Sequence, residues 1–345
     1  MHINCINCMQ NHKMKVLYHS IYAPNPYGHG GEKRSCQLQE WHADNGVEPL
    51  PLSLVPEKHL SVKALWRTFW MLLHVYGYRD WKSLYVFMRH VKNISLIYNQ
   101  LVAFFQTKDV DSFHWESTRD VWYILPYLAK RYNKQVVAFP HNIEALVAGQ
   151  KSTLFSWNAE QRLAREVQVL RACEKVYAIS NEETWLLQLM GVNASALLYE
   201  LPAVVKEQCD KVAELRKQSS KDYYLMLGSA INPPTRIGME EVLNAWDNLV
   251  PLVVAGFGTE QLKKHESGEI HIIGGVADEQ LLDLQVHCKA LIVNQPATTG
   301  ALTRIEEFLA AGIPIIANEN SIRSYRNREG INMLTIEFFN GLKIS

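Results

Sequence analysis

A chain of 345 residues with 48% hydrophobic and 20% charged side chains is long enough to bury two separate cores. Its 35 basic and 35 acidic residues cancel, so no global charge draws it to a polyanion, and nucleic acid is not an expected partner. No apolar run reaches the roughly 20 residues that a membrane-spanning helix needs.

The first 13 residues read as a flexible extension, with the first strand opening at Met14, and they lack the pattern of a secretory signal. Six cysteines at positions 5, 8, 36, 173, 209 and 288 are too scattered for a disulfide framework and suggest reduced thiols in the cytoplasm. Cys5 and Cys8 form a CxxC, but no second pair follows at zinc-ligand spacing, so no metal site is expected.

After the strand at 15–22 comes a turn carrying Gly28, Gly30 and Gly31, then a helix over 32–45. Glycines there let backbone N–H groups approach a ligand, although a plain turn has the same composition. Residues 58–92 are rich in aromatics and hold seven Lys and Arg against one Asp, a local formal charge of +6. They read as two core-packed helices with basic faces, or as a surface that leans on anionic lipid. A strand near 111–115 contains His114, a helix follows over 120–131, and the strand at 136–139 leads into His141, Asn142 and Glu144. Polar groups at the carboxyl end of a parallel strand can face a cleft, whereas a lone histidine is also a common structural residue. Helices over 158–172 and 182–190 flank a strand at 175–180, and 201–221 reads as a polar linker with some helix.

From residue 222 onward strands and helices alternate closely, which implies a parallel doubly wound sheet with ligands beyond its strand ends. Glycine-containing turns recur at that edge: Gly228 before Arg236, Gly256 to Gly258, and Gly274-Gly275-Val276. The stretch 292–318 reads as strand, loop, helix and strand. The loop of Thr298, Thr299 and Gly300 precedes a helix expected from Ala301, whose free N–H groups and positive dipole end suit a diphosphate. On that helix Ile305 and Phe308 fall on the apolar stripe, while Thr303 and Glu307 lie four apart on another face. Glu307 stands eight residues after Thr299, about 12 Å along the axis, where ribose hydroxyls would meet an acceptor-only carboxylate. The same pair also reads as a solvated helix face.

The run Glu307-Phe-Leu-Ala-Ala-Gly312-Ile-Pro314 resembles the end of the two-glutamate motif of glycosyltransferase family 4, the retaining enzymes of GT-B fold. That resemblance implies an α/β chain of two Rossmann-like doubly wound domains facing a central cleft: an acceptor domain over 14–200 and a nucleotide-sugar domain over 222–345, without the usual last crossover helix. It implies transfer of a sugar from a nucleoside diphosphate donor to a glycan or lipid-linked acceptor, without metal or cofactor, in cell-surface polysaccharide synthesis. Glu307 takes the place of the ribose-binding glutamate. The first glutamate of the motif is replaced by Thr299. By the same resemblance His141, Thr299 and Arg236 are the catalytic candidates. Gly30, Gly31, Gly228, Arg236, Val276, Thr298, Thr299, Gly300 and Glu307 are donor-binding candidates. His114, Asn142 and Glu144 are candidates for the acceptor side. The lysine that often accompanies the arginine is absent, Ile237 standing before Gly238, and Arg304 or Lys33 is left to supply a second charge. A non-catalytic nucleotide-sugar or glycan-binding protein, or a partner subunit, is the rival reading. The expected location is cytoplasmic, peripheral to the membrane if the 58–92 surface meets lipid.

Overall fold

The computed structural model describes residues 14–246, 250–325 and 329–333; the expectations placed on residues 1–13 and 334–345 lie outside them. The first half contains β1 (Met14–His19), α1 (Gly30–Asp44), β2 (Val47–Pro51), α2 (Val62–Tyr76), α3 (Leu84–Ser95), α4 (Tyr98–Phe105), β3 (Ser112–Glu116), α5 (Ile124–Arg131) and β4 (Gln135–Phe139). It continues with α6 (Ala159–Arg171), β5 (Lys175–Ala178), α7 (Asn181–Leu189) and β6 (Ala194–Ala196). Its six strands pair in parallel in the order β2-β1-β3-β4-β5-β6.

The second half contains α8 (Ala203–Arg216), β7 (Tyr223–Leu227), α9 (Pro233–Ala245), β8 (Leu252–Ala255), β9 (Ile270–Gly274), α10 (Asp278–His287) and β10 (Cys288–Val293). Then come α11 (Thr303–Ala310), β11 (Ile315–Ala317), α12 (Glu319–Ile322) and β12 (Ile331–Met333). This sheet is also parallel, in the order β12-β11-β10-β7-β8-β9, so the strand order reverses between β7 and β10. Helices on both faces bury β8 at every residue, which is why it reads as an unbroken Leu-Val-Val-Ala. One face packs α8 and α11 through Val205, Val212, Ile305 and Phe308, and the other packs α9 through Met239, Val242 and Leu243. Full burial of Ile305 and Phe308 stabilises α11 against the sheet by about 1.5–3 kcal/mol each.

Two local departures from the sequence reading have clear causes. The segment 201–221, expected as a linker with some helix, carries the 14-residue helix α8, whose charges face solvent while Val205, Cys209 and Val212 join the core. Helix α11 opens at Thr303 rather than Ala301, because Leu302 adopts extended geometry as the N-cap. Glu307 therefore lies about one turn inside the helix instead of two.

Close approach explains Gly238. A Cβ there would collide with the carbonyl of Asn294, so only glycine lets α9 cross the end of β10 at this distance.

Candidate functional site

The carboxyl ends of the two sheets face one another, and the first turns of α1 and α11 meet between them. A Cβ on Gly30 would stand 3.3 Å from Thr303 Oγ1, which accounts for a glycine at the start of α1. One turn further along each helix, Lys33 Nζ donates to Glu307 Oε2 at 2.6 Å. Glu307 is buried rather than on a solvated face, and its second oxygen, Oε1, is buried with no hydrogen-bond partner among the described residues. A carboxylate oxygen so placed is costly unless something donates to it. The space against it, bounded by Lys33, Tyr27 and Asp278, is only ≈ 20 Å³. A nucleoside diphosphate needs about 300 Å³ or more, so any such ligand requires the halves to part or Lys33 to move.

The loop before α11 does something the sequence did not reveal. Thr299 Oγ1 donates to the carbonyl of Ile143 at 2.9 Å, and Thr298 Oγ1 accepts from the amide of Ala148 at 3.2 Å. The Gly300 amide donates to Glu183 Oε1 at 2.6 Å. Gly300 itself, at φ +89°, lies so close to Asn142 that a Cβ would strike its amide oxygen. Glu183 is buried, and burial raises its pKa despite the Gly300 amide and the nearby Arg323. Thr298, Thr299 and Gly300 were expected to cradle a diphosphate; here their polar groups instead latch the second half onto the first. On α1 the Gly31 amide is likewise engaged, by His29 Nδ1 in a capping box, so its contribution as a free donor is corrected too.

In the first half the chemistry gathers on Glu116, at the end of β3 and absent from the sequence candidates. Its side chain is wholly buried and accepts from Tyr18, Ser35 and, at 2.7 Å, His141 Nε2. Burial alone would raise its pKa, but the hydrogen bonds and charge of His141, with those from Ser35 and Tyr18, hold it below the usual value. His141 also stacks on Tyr22 with ring centroids 5.4 Å apart. With Nε2 committed to Glu116, whatever His141 offers a ligand comes from Nδ1.

His114 is a correction. It is buried beneath α1, paired with His42 at 2.9 Å among Trp41 and Phe139, where an acceptor has no access. Glu144 lines a cavity of ≈ 220 Å³ with Arg119, Trp157 and Arg162, and is bonded to Asn142 and Gln150. Asn142 thus touches both Glu144 and the Gly300 loop. This cavity, larger than the space at Glu307, opens at the carboxyl ends of β3 and β4.

Across the cleft, Gly228 directly follows β7 at the point where strand order reverses. Thr235 of α9 flanks it on one side and the Arg304 guanidinium of α11 on the other. Arg236, next in the first turn of α9, is half-buried and has no ion pair among the described residues. Val276 follows β9 and packs half-buried against the core. The one Asp-x-Asp of the chain, Asp109-Val110-Asp111, precedes β3 and so lies at the opposite edge of the sheet from the cleft.

Solved structures match this arrangement over nearly the whole chain. HepE from Anabaena, in complex with UDP-glucose, superposes with a TM-score of 0.62 at 13% identity, covering 96% of this chain and 89% of that one. The trehalose 6-phosphate synthase of Burkholderia multivorans gives 0.60 at 9% identity over 96% and 87% of the two chains. The catalytic domain of starch synthase IV from Arabidopsis thaliana, bound to ADP and acarbose, gives 0.57 at 11% over 96% and 90%. This chain has the GT-B fold. No family model matches its sequence, and no curated protein does. The GT-B expectation from the glutamate motif therefore holds at the level of fold.

Proposed function

We propose that this protein is a retaining glycosyltransferase that moves a sugar from a nucleoside diphosphate to a glycan or lipid-linked acceptor. The observation that carries the reading is the buried Oε1 of Glu307 at the meeting of the two halves, which has no partner among the described residues. An acceptor-only group there calls for hydroxyl donors, and a ribose supplies two. Further support comes from the GT-B neighbours solved with UDP-glucose and with ADP.

In this reading the donor ribose replaces Lys33 on Glu307, Val276 borders the base, and Arg236 holds phosphate. The acceptor enters from the Glu144 side, and His141 offers Nδ1 to the donor sugar. The bond from the anomeric carbon to the phosphate oxygen breaks as the acceptor oxygen bonds on the same face, and the acceptor proton passes to the departing phosphate. No side-chain base and no metal is required. The work of the protein is to position donor and acceptor and to stabilise the phosphate charge.

The acceptor side has a second feature. Neither α2 nor α3 contains an Asp or Glu, and both expose apolar side chains: Val62, Trp66 and Trp70 on α2, with Leu84, Tyr85 and Met88 on α3. Trp66 is 63% and Trp70 53% exposed, unusual for the largest side chain. Lys63, Arg67, Arg89 and Lys92 are exposed on the same helices, which join through the Phe69 and Phe87 rings at 5.3 Å. We read this face as a seat on an anionic membrane surface, which fits a lipid-linked acceptor and a peripheral location. Among the described residues no helix is long and apolar enough to cross a membrane.

Titration with UDP, GDP and ADP tests the donor site. At least one should bind, and Glu307→Gln should weaken it by about 10- to 100-fold, the worth of a charge-assisted hydrogen bond. Equal affinities would remove the ribose role. Donor hydrolysis or transfer then separates an enzyme from a protein that only binds.

A further inference from the structure

Helix α11 holds two unsatisfied groups of opposite kind. Among the described residues Glu307 Oε1 has no donor and Arg304 Nε no acceptor, and both atoms are buried. The two residues are three apart, about 4.5 Å along the axis, on neighbouring faces of one helix. They do not satisfy each other: the guanidinium turns instead to Gly228, where a Cβ would stand 2.8 Å from Nη1. A ligand that answers both must present hydroxyl donors beside an anion.

Gly228 is also where the fold most readily receives an anion. It directly follows β7 at the switch between β7 and β10. The first turns of α9 and α11 flank it; the Asn232 side chain donates to Thr235 Oγ1 rather than capping a backbone amide of α9, and Leu302 offers no capping side chain to α11. Arg236 on α9 adds a cation without an ion pair among the described residues. The loop at 298–300 is meanwhile committed to the other half of the molecule. Burial draws the Arg304 pKa down to about 10, with Glu307 acting against the shift, so the side chain is still a cation at neutral pH.

We propose that Arg304 is the second diphosphate-binding cation of the site, holding the phosphates over Gly228 together with Arg236 while Glu307 holds the ribose. This rests on the donor reading above and assigns the anion to α11 and Gly228 rather than to the 298–300 loop. Lysine cannot copy the role in full, because one ammonium replaces a planar fork of five donors.

The test compares each nucleoside with its diphosphate, for uridine, guanosine and adenosine, in the wild type, Arg304→Gln and Arg304→Lys. In the wild type the diphosphate should bind more tightly than the nucleoside. Arg304→Gln should cut that advantage by about 10- to 100-fold with the nucleoside affinity unchanged, and Arg304→Lys should restore part of it. If Arg304→Gln fails to fold, Arg304→Lys must still narrow the gap by a few-fold. An unchanged gap in a folded variant, or an equal loss for nucleoside and diphosphate, overturns the assignment and makes Arg304 a structural residue. A wild type that binds no diphosphate overturns the donor reading itself.

Discussion

Among the described residues His19, His42, His90 and His114 are buried where a charged imidazole is disfavoured. Burial draws His19, His42 and His90 down to about 4, and His114, with His42 beside it, to about 3. Each folded pKa is below the unfolded 6.5, so their stabilising contribution is complete above pH 6.5 and is lost as pH falls toward 4. Glu116, depressed from 4.5, adds a loss at still lower pH. Glu166 acts in the opposite sense. Its pKa is raised to about 8 by burial, so its contribution is full below 4.5 and fades as pH rises through 8. Urea denaturation followed from neutral pH downward should therefore show a steep loss of stability. His114→Phe should make it shallower by up to about 1.4 kcal/mol per pH unit; superimposable slopes would mean these imidazoles titrate together with solvent. None of this was legible in the sequence. Glu116 draws its partners from positions 18, 35 and 141, and His114 meets His42 only because α1 lies on β3, so no local spacing marks either cluster.

The sequence disclosed the buried strands of the second sheet through their apolar runs, α6 through its apolar stripe, and α1 and α7 through their place between strands and glycine-punctuated turns. What it hid has physical causes. Strand β2, Val-Glu-Pro-Leu-Pro, carries two prolines that only an edge strand tolerates, and β6 has three residues. Helix α8 looks like a linker because only one narrow stripe of it is apolar. The pair α2 and α3 was legible as helices, but which aromatics point outward was not: Met71, Leu72 and Tyr76 are buried while Trp66 and Trp70 are not. That outward face makes a prediction. The protein should co-sediment with vesicles containing anionic lipid and far less with neutral ones. Arg67→Glu with Arg89→Glu should weaken binding by at least fivefold per reversed charge, at about 1 kcal/mol for each basic residue near the surface. Trp66→Ser with Trp70→Ser should weaken it even at low salt. Concentration-dependent dimerisation, abolished by the tryptophan changes and indifferent to lipid, would instead make this face a contact between copies.

At the scale of the whole molecule, the two halves are held together through groups that a donor would also want. Lys33 occupies one oxygen of Glu307, and the 298–300 loop is bonded to Ile143, Ala148 and Glu183. On the proposed donor reading, ligand entry and domain contact are linked: a nucleoside that donates to Glu307 would compete with Lys33 for Oε2 while satisfying Oε1. Lys33→Met separates the two effects. Without ligand it leaves a largely buried carboxylate unpaired, which should lower stability by about 3 kcal/mol. With the competing ammonium gone, the nucleotide becomes the main partner of Glu307, and its stabilising shift should grow, tenfold in affinity for each 1.4 kcal/mol of competition removed. Thermal unfolding with and without the diphosphate reads both quantities at once. A smaller nucleotide shift in Lys33→Met than in the wild type would reverse the assignment: the lysine would then stay with the bound donor as one of its charges, and closure would follow binding rather than oppose it.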